Sequence, residues 1–384
     1  MRILALFFHF PPMSGGGPVV SCDIANTIAA LGHQVTVLVP DVDWNGRKYE
    51  PHMHKNLSVI RVNTPSKTNL KVAARRCAGN LRKTAEKLCS ESRFDMIFTI
   101  FHPFHLVPNA AVSCAKKVGI PVVIKVDDAV YEKSSGLKAI QRRIEKRFST
   151  KSLQGASEIF VLNEQIKTIV SDNYRVPPEK ISVMPNGIDL SLFDVKSAKR
   201  ERKIIFSGVM YYHRGLDILL KATTEIIKEL ADVKVVLLGE GPELQRLQDI
   251  VSEKKLMVNV EFKGWVERAE VPTHLLNASI GIGPLQLTPL TAKSIPVKVL
   301  EYMASSLPIV AKKGSLSDDI LRDGENGYFV EDERELAEKV INLLQNPSLV
   351  EKMGTMSRNM VQKFSWGNLL VPILEKYDKA KSSS

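Results

Sequence analysis

Short apolar runs rich in valine and isoleucine alternate along this chain with stretches whose apolar residues recur at helical spacing. Several runs are apolar at every position, as are strands of a parallel sheet that helices cover on both faces. In the first half of the chain the runs predict strands at 3–8, 34–39, 57–63, 94–100, 121–126, 158–162 and 181–184. In the second half they predict strands at 203–207, 233–238, 258–262, 279–283, 308–311 and 327–330.

Helices are predicted between these strands, because apolar residues there step by three or four positions. One stripe begins at Val20, and a second runs as a single helix from Ala74 to Leu88. A third stripe joins Leu137, Ile140, Ile144 and Phe148. The alternation of strand and helix predicts an α/β fold with doubly wound parallel sheets.

The alternation pauses at about residues 189–202, a polar stretch that ends in a basic cluster, and then restarts. We therefore predict two Rossmann-like domains of similar size, at 1–190 and 191–365. Two such domains facing each other would enclose a central cleft at the carboxyl ends of their strands, where doubly wound sheets bind ligands. Candidate chemistry is therefore sought in the loops that follow strands.

Composition excludes several classes of protein. Hydrophobic residues make up 44% of the 384 positions and charged residues 25%, as in ordinary globular proteins. The four cysteines form no C-x-x-C pair, which argues against a zinc site or a redox motif. No apolar run reaches the roughly 18 residues of a membrane-spanning helix, and the N-terminus is typical of a first strand rather than a signal peptide. We expect a cytoplasmic protein.

Two loops after strands are candidates for anion binding. The first contains Gly15–Gly17 and precedes a helix, so backbone N–H groups could approach a phosphate. It lacks the G-x-G-x-x-G dinucleotide pattern, and a flexible turn is the alternative. The second places His213 and Arg214 just before a helix, where a fixed cation and free N–H groups suit a phosphate. A solvated arginine at a helix start is the alternative there.

Three further segments permit simpler interpretations. The PNGID string at 185–189 indicates a tight turn at a hinge, and GEGPEL at 239–244 indicates a turn that starts a helix. The helical segment within 294–311 carries Lys298 and Glu301. This carboxylate could hold sugar or ribose hydroxyls, or could only stabilise the helix dipole.

In this order, the loops resemble the retaining glycosyltransferases of the GT-B fold, in family 4 or group 1 of the usual classification. The resemblance spans nearly the whole chain and rests on the Gly-rich loop, PNGID, GEGPEL, VEFKGWV at 260–266, LEYMASSLPIVA at 300–311 and FSW at 364–366. It implies two Rossmann-like domains and a final helix, at 366–384, that returns to the first domain. It also implies a hexosyltransferase that uses a nucleotide diphosphate sugar and needs no cofactor and no metal.

The resemblance also implies which residues bind the donor. These are Gly16, Gly17, Gly208, Arg214, Glu240, Val266, Lys293, Lys298 and Glu301. Two positions depart from the family pattern. Val209 replaces an arginine that normally contacts the diphosphate, and Lys293 replaces the first of two glutamates spaced eight apart. Lys298 is expected to supply the missing phosphate charge, and Arg214 to carry part of the catalysis.

On the first domain, Asp127 and Asp128 follow a predicted strand and are expected to contact the transferred sugar or the attacking hydroxyl, with helix capping as the alternative. His102, after another strand, is a further catalytic candidate. The string Asp41-Val42-Asp43 has the letters of a metal-binding D-x-D motif but follows a first-domain strand, so we interpret it as surface.

Two other functions are possible. A GT-B nucleotide-sugar epimerase would share the fold and the nucleotide but needs no acceptor, and PNGID and GEGPEL favour the transferase. A nucleic-acid-binding protein is suggested only by the formal net charge of +11, since no basic platform interleaved with aromatic residues is evident.

The positive charge is concentrated in two segments, at 67–93 and 138–151, and both carry an apolar stripe. Basic residues attract anionic lipid at about 1 kcal/mol each. We therefore expect a peripheral enzyme on the cytosolic face of a membrane, with a lipid-linked or envelope-glycan acceptor and no nucleic-acid partner. The stripe of 138–151 is expected to pack on the domain core, and 67–93 to act mainly through its charge.

Overall fold

The protein is described here from a computed structural model. The structure describes residues 1–43, 46–64, 68–103, 106–129, 136–194, 200–288 and 291–382. The chain divides into two compact units. Unit 1 comprises Met1–Asn186 together with Trp366–Ser384, and unit 2 comprises Gly187–Ser365. The predicted pause at 189–202 begins just after this division, and its central residues 195–199 lie outside the described part of the chain.

Unit 1 is built on a seven-stranded sheet in which every strand pair is parallel. Its strands are β1 (Arg2–Leu6), β2 (Gln34–Asp41), β3 (Leu57–Asn63), β4 (Met96–Phe101), β5 (Val122–Val126), β6 (Glu158–Val161) and β7 (Ile181–Val183). Its helices are α1 (Gly16–Ala30), α2 (Leu70–Arg76), α3 (Ala78–Glu91), α4 (Val107–Val118), α5 (Gly136–Gln154), α6 (Glu164–Tyr174) and α13 (Trp366–Ser382). The spatial order is β3-β2-β1-β4-β5-β6-β7.

Both faces of this sheet are buried because its strands are apolar on both sides. Leu4 and Leu6 face one core, whereas Ile3 and Ala5 on the same strand face the other. Helix α13 completes the second core from the far end of the chain, through Trp366, Leu370, Ile373 and Leu374. The final helix therefore packs on the first domain.

Unit 2 repeats this plan with a six-stranded parallel sheet. Its strands are β8 (Lys203–Ser207), β9 (Lys234–Leu238), β10 (Val260–Gly264), β11 (Ile280–Ile282), β12 (Ile309–Lys312) and β13 (Gly327–Val330). Its helices are α7 (Leu216–Glu229), α8 (Leu244–Glu253), α9 (Val271–Leu276), α10 (Val297–Ala304), α11 (Glu333–Gln345) and α12 (Pro347–Val361). The order is β10-β9-β8-β11-β12-β13, with cores on both faces.

Every predicted strand is present, with ends that shift by up to a few residues, and the predicted α/β class is confirmed. One helix prediction was wrong. The stripe from Ala74 to Leu88 belongs to two helices, α2 and α3, which meet at Cys77. Ala74, Cys77, Leu81 and Ala85 all pack into one core, so this basic segment does not offer its apolar stripe to a partner.

A second expectation was also wrong. The described part of the stripe on α5, Ile140, Ile144 and Phe148, is exposed rather than packed on the core. Leu137 and Lys138 have no described side chain, and Lys67 lies outside the described residues. Within the described part of the chain, no helix is both long enough and apolar enough to cross a bilayer.

Candidate functional site

The first cluster of interest lies in unit 2, where the strand order changes direction between β8 and β11. Loops after these two strands diverge, and such switch points are where doubly wound sheets bind ligands. Strand β8 ends at Ser207 and leads into Gly208, whose φ of 128° is open to glycine and strained for other residues. The loop that follows carries Arg214 to the start of α7.

The GEGPEL turn holds this loop in place. The backbone N–H of Met210 donates to the carbonyl of Glu240 at 2.9 Å, and that of Glu243 donates to the carbonyl of Met210 at 3.1 Å. A Cβ on Gly239 would lie 2.3 Å from the carbonyl oxygen of Gly208, and one on Gly241 would lie 2.6 Å from the backbone of Met210. The glycines are therefore required so that two backbones can touch, beyond any role in starting helix α8.

Gly239→Ala is expected to lower the free energy of unfolding by about 3–5 kcal/mol, because it adds a clash with Gly208 to the strain of its φ of 116°. Gly324→Ala is the matched control. Its φ of 76° is also left-handed, but a Cβ there would meet no atom within 4 Å, so about 1–2 kcal/mol should be lost. Urea unfolding of both variants measures the difference, and equal losses would contradict the bracing role.

Arg214 ends a single 3₁₀ turn, Tyr212–Arg214, directly before α7. Its backbone carbonyl accepts from the N–H of Leu285, in the segment after β11, at 3.0 Å. Gly215 passes so close to Leu285 that a Cβ would lie 3.0 Å from that backbone. These contacts fix the guanidinium stem between the two diverging loops. The Nε of Arg214 is buried and has no hydrogen-bond partner among the described residues.

Lys298 comes from the first turn of α10 and aims at the same place. Its Nζ lies 3.8 Å from the centre of the Phe206 ring, at the end of β8, in a cation–π contact. A Cβ on Gly208 would lie 3.6 Å from Cδ of Lys298, so this glycine makes room for the lysine stem. The ammonium is buried and makes no hydrogen bond within the part of the chain that the structure describes.

The electrostatics of these two cations favour an anion beside them. Burial, and secondly the charge of Arg214, lower the pKa of Lys298 well below its usual value, although Glu301 opposes the shift. Burial also lowers the pKa of Arg214. A buried cation without a partner is costly, and an anion placed between the two would remove that cost. The arrangement suits a phosphate or diphosphate, near the N-terminal end of α7.

Glu301 and Tyr302 follow on α10, and both are buried. The hydroxyl of Tyr302 accepts a hydrogen bond from the backbone N–H of Ser207 at 2.7 Å, which ties α10 to the end of β8. Burial raises the pKa of Tyr302, so this phenol stays protonated. Glu301 is 8% exposed, as a carboxylate held for a small number of polar ligand groups would be.

The other donor residues predicted in unit 2 are more peripheral. Val266 is partly buried against the core cluster beside α10, and Glu240 is exposed beside Gly264. Lys293 is exposed, and its Nζ lies 3.2 Å from both carboxylate oxygens of Asp318. Lys293 is therefore an ion-paired residue in this structure, unlike the buried Lys298. The donor-binding roles of these residues stay predictions.

A second cluster lies in unit 1, at the corresponding change of strand order between β1 and β4. His9 follows β1, and His102 follows β4. The centres of their rings are 6.0 Å apart, in an edge-to-face arrangement. Asp127 and Asp128 follow the neighbouring strand β5. Residues predicted separately are thus brought to one edge of the sheet by adjacent strands.

His9 connects this cluster to the glycine loop. A Cβ on Gly17 would lie 3.2 Å from Nδ1 of His9, so the first turn of α1 lies close to the imidazole. Gly16 is exposed in the first turn of α1, with open space where a side chain would go. Burial, followed by the charge of His102, lowers the pKa of His9 to about 4, although Asp127 opposes the shift. Burial also lowers the pKa of His102, against the raising effect of Asp128 and Asp127.

The buried His9 should make the protein less stable in mild acid. Between pH 6.5 and about 4 the unfolded chain binds a proton at this ring and the folded chain does not, so stability falls as pH falls through that window. The loss is about 3 kcal/mol. His9→Gln should flatten this part of a pH profile of the free energy of unfolding, whereas His52→Gln, at an exposed position, should not. Identical profiles for wild type and His9→Gln would contradict the assignment.

Lys125 holds the carboxylate of Asp127 in place. This lysine lies inside β5 and is fully buried, and its ammonium donates to the carboxylate of Asp127 and to Oδ1 of Asn186, the latter at 2.7 Å. Asn186 is the asparagine of the PNGID turn and the last residue of unit 1 before unit 2 begins. The turn is therefore anchored through Lys125, which also binds the candidate catalytic residue Asp127.

Sequence reasoning missed His9, Lys125 and Asn186 as members of this cluster. Signals for two of them were present. His9 is a polar residue just after the predicted first strand, and Lys125 interrupts an otherwise apolar central strand, where a buried lysine is rare. The contact with Asn186 joins positions far apart in sequence, which no local pattern reveals.

Two protein-family models match successive parts of the chain. The model for glycosyltransferase family 4 matches residues 14–192, and the model for glycosyl transferases group 1 matches residues 188–360. The first match contains the cluster in unit 1 from Gly17 to Asn186, and the second contains Gly208, Arg214, Lys298 and Glu301.

Two similar proteins cover nearly the whole chain and about half of it, respectively. The α-monoglucosyldiacylglycerol synthase of Acholeplasma laidlawii is 22% identical over 94% of this chain and 91% of its own length. A GDP-mannose-dependent α-(1-6)-phosphatidylinositol monomannoside mannosyltransferase of Mycolicibacterium smegmatis is 24% identical over 48% of this chain and 52% of its own.

Solved structures share the fold over the full length. Anabaena HepE in complex with UDP superposes with a TM-score of 0.72 at 15% identity, covering 99% of this chain and 100% of that one. Sucrose-phosphate synthase from Thermosynechococcus elongatus gives a TM-score of 0.72 at 17% identity, covering 100% of both. The chain belongs to the GT-B glycosyltransferases of the family 4 and group 1 type, enzymes that transfer sugars from sugar nucleotides.

Proposed function

We propose that the enzyme transfers a hexose from a UDP- or GDP-sugar to an acceptor hydroxyl with retention of anomeric configuration. The observation that carries the donor assignment is a pair of buried side-chain nitrogens in unit 2, Nε of Arg214 and Nζ of Lys298, which have no hydrogen-bond partner among the described residues. A nucleoside diphosphate would place its charged groups against both. Bond cleavage leaves additional negative charge on that diphosphate, and fixed cations stabilise it without a bound metal ion.

Lys298 would take the role of the arginine that Val209 replaces. Val209 is 43% exposed and offers no charge to the loop after β8. The side chain of Lys298, which comes from α10, passes close to Gly208 instead. The second phosphate-binding cation would therefore come from helix α10 rather than from the loop after β8. Glu301, three residues after Lys298, would bind ribose or sugar hydroxyls.

The cluster in unit 1 would serve the transferred sugar and the attacking hydroxyl. Asp127, held by Lys125, is the group best positioned to accept the hydroxyl proton, and the two histidines would donate or accept hydrogen bonds as neutral rings. Asp128, next to His102, would contribute a further polar contact.

The acceptor is proposed to be lipid-linked or an envelope glycan, and the enzyme to act on the cytosolic face of a membrane. Similar proteins whose names include monoglucosyldiacylglycerol and phosphatidylinositol monomannoside support this class. The strongly basic composition supports an anionic surface as partner.

Incubation with UDP- and GDP-sugars, each with and without a panel of lipid-linked acceptors, tests the proposal. NMR of the product should show the anomeric configuration of the donor, together with acceptor-dependent release of nucleoside diphosphate. An epimerase would instead change the sugar nucleotide without an acceptor, and that result, or an inverted product, would overturn the proposal.

A further inference from the structure

Helix α5 exposes three large apolar side chains and buries polar ones, and only its C-terminal end, at Leu153, packs an apolar side chain into the core among its described residues. The side chains of Ile140, Ile144 and Phe148 are 56%, 51% and 44% exposed. The face turned towards the protein instead carries Glu145, Ser149 and Ser152, which are 7%, 2% and 1% exposed. Large apolar side chains exposed together, with polar ones buried behind them, mark an interaction surface more reliably than scattered exposed residues do.

Basic residues share the exposed side. At 100° per residue, Arg143, Arg147 and Lys151 project next to the three apolar side chains, and all three are exposed. We call these six residues the outer face of α5. The one carboxylate in α5 is Glu145, which points inward, where Gln141 donates to it at 2.9 Å. The described outer face is therefore apolar and cationic, without an acidic residue.

This composition selects the occupant. A second copy of the same face would oppose three cations with three cations, which disfavours self-association. A polar partner would leave the apolar side chains uncovered. An anionic bilayer suits both the apolar and the cationic side chains, because acyl chains accept isoleucine and phenylalanine while lipid phosphates bind arginine and lysine.

We propose that the outer face of α5 is a membrane-docking surface, with Ile140, Ile144 and Phe148 entering the boundary between headgroups and acyl chains of an anionic leaflet. The three span about 12 Å along the helix, so α5 would lie flat on the membrane. The inference deepens the proposed function, on which it rests, by naming the surface that meets the lipid. The basic helix α3 is a natural comparison, because its apolar residues Leu81 and Ala85 are buried.

Co-sedimentation of the full chain with vesicles tests the proposal. The protein should bind phosphatidylcholine vesicles that contain phosphatidylglycerol, and it should not bind vesicles of phosphatidylcholine alone. The triple variant Ile140→Ser, Ile144→Ser, Phe148→Ser should lower the partition coefficient by at least about 10-fold, since each side chain loses its burial in lipid. Arg143→Gln, Arg147→Gln, Lys151→Gln should lower it as well and weaken its dependence on salt.

Two matched controls distinguish binding through the outer face of α5 from nonspecific apolar binding and from nonspecific electrostatic attraction. Met257→Ser, Val258→Ser removes apolar residues that are 68% and 77% exposed in unit 2, and Arg82→Gln, Lys83→Gln, Lys87→Gln removes three exposed charges from α3. Both should bind within about twofold of wild type. Circular dichroism checks the fold of every variant.

Undiminished vesicle binding by the apolar triple variant would overturn the proposal. So would equal wild-type binding to neutral and anionic vesicles, no binding to either, or a concentration-dependent dimer that the triple variant abolishes. Binding of UDP or GDP, measured on the same proteins in solution, should be unchanged in the triple variant. A failure of nucleotide binding in wild type would instead count against the proposed function and leave the vesicle result independent.

Discussion

Arg214→Ala is expected to lower kcat by about 10²–10³-fold while the fold survives, because it removes one of the two cations that we propose stabilise the leaving diphosphate. Lys298→Met should cost about as much, since its ammonium is also buried and makes no hydrogen bond among the described residues. Steady-state kinetics with a sugar nucleotide and an acceptor measures both. Each substitution removes a buried cation, so the fold should survive, and thermal unfolding checks this.

Lys312→Met is the control for this first prediction. Lys312 is also in unit 2 and partly buried, but its ammonium is paired with Glu331 at 3.0 Å, at the end of β12. The same change of side chain there should leave kcat within about twofold. If the Arg214 and Lys298 variants turned over like this control, the assignment of the diphosphate to these cations would be wrong.

Asp127→Asn is expected to lower kcat by about 10²–10⁴-fold, because an amide cannot accept the proton that we propose Asp127 takes from the attacking hydroxyl. Lys125→Met should reproduce part of this loss by releasing the carboxylate that Lys125 orients. Lys125 is a positioning residue, so its removal should also shift the pH–rate profile, which a purely structural defect would not do. Asp172→Asn, on the exposed side of α6, is the control.

Kinetics of these variants across the pH range checks the second prediction. The ratio of kcat to KM should fall with kcat in Asp127→Asn, as it does when an interaction made in the transition state is lost. A variant that lost only acceptor affinity, with kcat unchanged at saturating acceptor, would show that Asp127 binds the acceptor without taking part in proton transfer.

The sheets were predictable from sequence because parallel strands buried on both faces are continuous apolar runs. Strands at 57–63, 203–207 and 327–330 have the predicted bounds. Helix boundaries were harder to predict from sequence where the apolar stripe is made of small residues. The turn at Cys77 divides a stripe of alanines and cysteine that continues across the break with helical spacing, so periodicity alone joins α2 to α3.

The direction in which a helix faces was not predictable from its stripe. In α3 the apolar side packs inward as the pattern indicates, whereas in α5 the apolar side is exposed and Glu145 is buried. A hydrophobic stripe indicates that two faces of a helix differ in polarity, but it does not indicate which face packs on the core. The structure therefore leaves 67–93 only its charge as a means of membrane attraction, and the outer face of α5 is the surface that we propose docks.

The motifs along the sequence identified the loops of the candidate site. The contacts between side chains of that site depend on how helices and strands pack, which the motifs do not reveal. The relocation of a cation to α10 could be suggested from Lys298 and the loss at Val209, yet its contact with Phe206 and the space over Gly208 required the structure. The same holds for Lys125, whose partners Asp127 and Asn186 come from different loops.

Nucleoside diphosphate binding to Arg214 and Lys298 is the claim from which the donor site follows. Thermal unfolding with UDP, GDP or ADP, and with the matching nucleosides, tests it most directly. At 100 times its Kd, the preferred diphosphate should stabilise wild type by about 2.7 kcal/mol, and its nucleoside should not. The Arg214→Ala, Lys298→Met double variant should lose this stabilisation. No response of wild type to any diphosphate, or an undiminished response of the double variant, would contradict the account.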